Sequence, residues 1–157
     1  MSKNNNIIIV NPIPPEFPKP LSQTIWIVVS SCFFLVPAIY AFLNVLYFEW
    51  LYLYASLSVC TTVCSVNHWR RAEDGIRRKI DQASARIAFI IYVVTGFYYL
   101  PIYLSIVTVL TISTSFAISD HLSLMHHPLW PLSHIFFHLS VTVTKMFIIY
   151  YIRDEAH

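Results

Sequence analysis

Long apolar runs alternate with short polar ones along the chain from about residue 21 onward. No Asp, Glu, Lys or Arg occurs between Pro20 and Phe48. A membrane-crossing helix needs roughly 20 apolar residues, so one span fits at about Thr24 to Leu46. Pro37 predicts a kink within it, because proline removes a backbone donor and crowds the preceding turn. Asn44 and Glu49 mark a turn. A second uncharged run, Trp50 to Asn67, predicts the second span. Residues 87–119 are then free of formal charge for 33 positions. That is long for one helix at roughly 1.5 Å per residue and slightly short for two full spans. The break is read at Gly96–Pro101, with Tyr98, Tyr99 and Tyr103 as interfacial aromatics. Two short helices follow, about Gln82–Tyr99 and Pro101–Ser119. A His-rich loop, SDHLSLMHHPLWPLSH, leads into a last span, about Pro131 to Ile152, interrupted by Lys145.

The expected fold class is therefore all-α: a polytopic transmembrane helix bundle of about five spans. It covers residues 22–153, behind a Pro- and Asn-rich tail, residues 1–21, expected to be disordered. The apolar run after the tail is too long for the core of a signal peptide, and no A-x-A site follows it. Composition agrees with this reading. The chain of 157 residues is 57% hydrophobic and 11% charged, against roughly 25% charged in soluble domains. Only two glycines occur, so packing of the GxxxG type is not available. A formal net charge of +2, without a basic stripe, excludes nucleic acid as a partner. Cys32, Cys60 and Cys64 lie in apolar runs and do not read as a disulfide framework.

Charge also orients the chain. The segment Arg70–Arg86 holds six basic and three acidic residues. With five spans it shares a side with Lys3 and Lys19 of the tail, and the basic side is expected to be cytosolic. The Arg70–Lys79 cluster is first a topology signal and second an attraction to anionic lipid.

Parity places a constellation at that same face. Ser65 and His68 end the second span, Asp81 begins the third, Asp120 and His121 end the fourth, and His134 and His138 begin the fifth. Ser65 and His68 are i,i+3, and His134 and His138 are i,i+4, so each pair shares a helix face. An HxxxH pair on one helix lets two imidazoles grip one metal. A third ligand, His68, would leave an open position suited to catalytic zinc. Asp81 could then hold the attacking water or orient a ligand. Plainer readings exist for each residue. His134 and His138 could cap a span at the lipid headgroups. Ser65 could bond its own backbone. Asp81 could anchor a helix N-terminus. His121, His126 and His127 read as loop residues and as substitute ligands. Cys60 and Cys64 read as packing residues, although Cys64 and His68 could form another metal pair. Lys145, seven residues past His138, is expected to snorkel to the far interface.

The pieces SVNHW (Ser65, His68), RRKIDQASA (Asp81) and SHIFFH (His134, His138) resemble the alkaline-ceramidase/adiponectin-receptor superfamily of membrane proteins. That resemblance implies a zinc-dependent hydrolase acting on an amide or ester bond of a membrane lipid. His68, His134 and His138 would bind Zn²⁺, with Ser65 and Asp81 as catalytic residues acting on the water and the oxyanion. The alternative class is a non-enzymatic multi-span protein, receptor-like or membrane-organising, with a structural metal or none. A proton or metal conduit is the weakest expectation. It needs polar residues through the depth of the bundle, and the middles of the first, third and fourth spans are read as almost without them.

Overall fold

The computed structural model describes residue 19 and residues 21–44 and 49–155. Apart from Lys19 and Leu21, the tail expected to be disordered lies outside the described residues. The remainder is helical: α1 (Leu21–Ser31), a 3-10 turn (Cys32–Phe34), α2 (Leu35–Leu43), α3 (Leu51–Trp69), α4 (Ile76–Tyr99), α5 (Ile102–Leu124) and α6 (Trp130–Glu155). α1, the 3-10 turn and α2 together make one continuous rod, Leu21–Leu43, so the described residues form five long helices. Leu21–Leu43, α4, α5 and α6 are each long and apolar enough to cross a membrane. At 19 residues α3 is also long enough, but its inward face is rich in hydroxyls.

The sequence explains the boundaries. Pro37 has no N–H for the Phe33 carbonyl, and its ring crowds that carbonyl. The chain answers with a tightened 3-10 turn at Cys32–Phe34, one turn before the proline. α4 starts directly after Gly75, whose φ of 153° is open to glycine and strained for other residues. α4 and α5 part at Leu100–Pro101, the break expected from Gly96–Pro101. The His-rich loop is shorter than expected. α5 runs on through Asp120 and His121 to Leu124, and only residues 125–129 connect it to α6. His126, with φ of 50°, turns the chain there.

α1 packs on α3, α3 on α4, α4 on α6, and α6 back on α1. These four elements form a ring, and α5 packs outside it, mainly on α6. Large apolar side chains such as Trp26, Ile39, Val63, Ile90 and Leu110 point outward, as a lipid-facing surface requires. An apolar cluster fills one end of the interior, where Ala41, Leu51, Leu100, Ile149 and Ile152 meet. Gly96 of α4 faces α6 there: a Cβ on it would sit 3.5 Å from Ile148 Cδ1. Elsewhere the interior is lined by hydroxyls and titratable groups, among them Ser30, Ser58, Ser65, His138 and Lys145.

Candidate functional site: a buried histidine–serine cluster

The end of the bundle opposite the apolar cluster holds the site. Lys19 N–H donates to the Ala72 carbonyl at 3.0 Å. This places the start of the first span beside the α3–α4 connection. Lys19 Nζ lies 3.6 Å from the centre of the Trp130 ring and 3.3 Å from Ser123 Oγ. The α5–α6 connection is thereby drawn to the same end. Burial, and then the charge of Arg78, pull the Lys19 ammonium below its ordinary pKa.

His134 and His138 point inward from adjacent turns of α6, with ring centres 4.7 Å apart. His138 is 3% exposed. Its Nδ1 lies 2.8 Å from Ser30 Oγ. Ser30 Oγ also lies 2.9 Å from the Ile27 carbonyl. The contact holds the His138 ring at Nδ1 and leaves Nε2 on the opposite side of the ring. His134 Nδ1 shares a 2.9 Å hydrogen bond with Ser119 Oγ of α5.

His68 is 2% exposed and lies within electrostatic reach of His134. Its ring rests on Trp69 at 4.7 Å, and Trp69 in turn meets His134 at 4.8 Å. His68 Nδ1 is buried and has no hydrogen-bond partner. Ser65 is buried one turn below it and shares a 3.0 Å hydrogen bond with Ser31 Oγ, which also lies 2.8 Å from the Ile27 carbonyl. One carbonyl therefore anchors both serines that hold the α3 and α6 side chains.

Asp81 is not brought to the histidines. It is half-buried on α4 beside Cys64 of α3, and no hydrogen bond joins it to His68, His134 or His138. His121, His126 and His127 are exposed, away from the cluster.

Zn²⁺ was the cofactor implied by the resemblance. The donor chemistry of the pair suits it: neutral imidazoles whose Nδ1 atoms are held by hydroxyls, as metal-binding histidines are commonly held. The set is not closed, however. Among the described residues, no three His, Cys, Asp or Glu side chains come close enough to hold one metal ion. The chain matches no protein-family model, no curated protein and no solved structure.

Two expectations are corrected here. Lys145 does not snorkel. It is 3% exposed, with Nζ 3.5 Å from Ser58 Oγ, 4.8 Å from the Phe34 ring centre and 5.0 Å from that of Tyr92. It belongs to the inward stripe of α6, below His134, His138 and Thr142, and that stripe faces α3. Nor is the bundle interior without polar groups. The first span contributes Thr24, Ser30 and Ser31, α4 contributes Tyr92 and Thr95, and α5 contributes Ser105, Ser115 and Ser119, all buried. Ser30, Ser31, Ser58, Ser119 and Tyr92 went unnoticed in the sequence, where a hydroxyl within an apolar run reads as neutral. The one available signal was spacing: Tyr54, Ser58, Thr61, Ser65 and His68 recur every three or four residues along α3.

Proposed function

We propose that this protein is an integral membrane hydrolase that uses zinc to cleave an amide or ester bond of a membrane lipid. The observation that supports it is the hydroxyl-anchored pair His134–His138 inside an otherwise lipid-facing bundle. Ser30 holds His138 at Nδ1, leaving Nε2 on the opposite side of the ring, and His68 offers the unpartnered Nδ1 of a third imidazole. Zinc held by these nitrogens would supply Lewis acidity, making water nucleophilic near neutral pH. The protein's own groups do the rest. Ser30 and Ser119 fix the ring planes, Trp69 and Phe34 pack against the rings, and the buried Ser65 hydroxyl, one turn from His68 on α3, would turn from Ser31 to the developing oxyanion. Asp81 keeps a catalytic role only if it moves from Cys64 toward the histidines. The basic face, with Lys19 and Arg70–Arg86, is assigned to the cytosol from its excess of Lys and Arg.

The second reading, a non-enzymatic membrane protein, is favoured by one observation. No three-ligand group is assembled among the described residues. Metal analysis separates the two. Protein purified in detergent with zinc present should retain about one zinc per chain, lose it in His134→Ala/His138→Ala, and keep it in Asp81→Asn. A wild-type protein that holds no more zinc than the double variant would leave the non-enzymatic reading in place.

A further inference from the structure

Lys145 is buried well apart from the histidine site. It lies 11 residues from His134 along α6, roughly 16 Å deeper, and is 3% exposed. Its Nζ donates one long hydrogen bond, 3.5 Å to Ser58 Oγ. It otherwise meets the rings of Phe34, at 4.8 Å, and Tyr92, at 5.0 Å. No carboxylate among the described residues pairs with it. An ammonium in a low-dielectric interior is costly unless an anion offsets it. Within a bilayer such a group marks a functional site.

A lateral cleft reaches the same place. α5 packs mainly on α6 and only loosely on α4, and a narrow cleft runs along the α4–α5 seam. The seam is tied toward the far face, where Ser105 Oγ donates to the Gly96 carbonyl at 2.8 Å. The rest of its lining is largely apolar, with Phe89 and Val93 from α4 and Val109 and Ile112 from α5. Tyr92 and Thr144 also line it, and both are buried. Tyr92 is the ring beside which the Lys145 ammonium lies, and Thr144 precedes Lys145 on α6. The long bond to Ser58 restrains Nζ weakly, and the flexible four-carbon stem lets it turn toward the cleft.

We propose that this cleft binds a long-chain fatty acid, with the carboxylate paired to Lys145 and the acyl chain lying between α4 and α5. The carboxylate supplies the counter-ion that the described residues do not. The apolar lining suits an acyl chain and not a hydrated inorganic anion. The narrowness of the cleft suits one chain and not the two of a phospholipid. Because the seam faces the bilayer, the ligand enters sideways, and neither end of the bundle has to open.

The test uses the full chain in phosphatidylcholine nanodiscs with a diazirine-bearing long-chain fatty acid. After photolysis, peptide mass spectrometry maps the label, which should fall on residues 89–93 and 108–112. Excess oleate should remove most of it. Oleyl alcohol has the chain without the charge and acetate has the charge without the chain, and neither should compete. Lys145→Met should lower the oleate-sensitive label several-fold. The proposal is overturned if oleyl alcohol or acetate competes as well as oleate does, or if no oleate-sensitive label appears on the seam. It is equally overturned if Lys145→Met, folded by gel filtration and circular dichroism, is labelled like wild type. Should Lys145→Met fail to fold, Val109→Trp, which fills the cleft and leaves Lys145 in place, replaces it with the same two outcomes. Neither zinc nor a histidine takes part in this measurement, so it stands or falls separately from the hydrolase reading.

Discussion

His138 Nδ1 lies 2.8 Å from Ser30 Oγ, and this contact ties the first span to the last across the bundle interior. Ser30 Oγ also bonds the Ile27 carbonyl, so the hydroxyl is held in place by its own helix. Ser30→Ala would leave His138 Nδ1 without its partner in a dry interior. An unsatisfied buried donor or acceptor costs about 1–3 kcal/mol. Unfolding in mixed detergent micelles should register a loss of that size. An unchanged stability would mean that His138 finds another partner.

Lys145 carries the opposite expectation. Its ammonium is buried with one long hydrogen bond and two aromatic faces, and no carboxylate offsets its desolvation. Lys145→Met keeps most of the side-chain volume and removes the charge. The variant should therefore melt at a higher temperature than the wild type in detergent. A clear decrease would show that the ring contacts and Ser58 compensate the charge fully.

Gly96 of α4 faces Ile148 of α6. A Cβ there reaches Ile148 Cδ1 at 3.5 Å, an ordinary contact. Gly96→Ala should be neutral or stabilising by up to about 1 kcal/mol, the helix-propensity difference between the two residues. Gly96→Leu has no such room and should lower stability, because overpacking a tight interface costs about 1–3 kcal/mol. Thermal melts of the two variants should move in different directions.

The topology is testable by labelling. With Cys32, Cys60 and Cys64 replaced by serine, single cysteines at positions 75 and 154 should react from opposite sides of a sealed membrane. Five spans place Gly75 at the histidine end and Asp154 at the other. Labelling of both positions from one side would require an even number of spans between them and would remove the parity on which the site rests.

The sequence by itself determined the all-helical fold class, the approximate limits of the five long helices and the shared face of His134 and His138. These are local matters. A long run without formal charge marks a candidate span from its own residues, because desolvating a charge is costly, and residues four apart on a helix share a face in any fold. Pro37 likewise announced a disturbance in the first span, although the turn that responds is Cys32–Phe34. Tertiary structure alone decided how each helix is rotated about its own axis. A hydroxyl in an apolar run can face lipid or interior at little local cost, because it can bond its own helix carbonyl either way. Only the packing of the ring turned Ser30 toward His138, 108 positions away, and Ser58 toward Lys145, 87 positions away. The same rotation set Asp81 beside Cys64 and not beside the histidines. It also drew Lys145 into the bundle, since the stripe that carries the histidines inward carries the lysine with them.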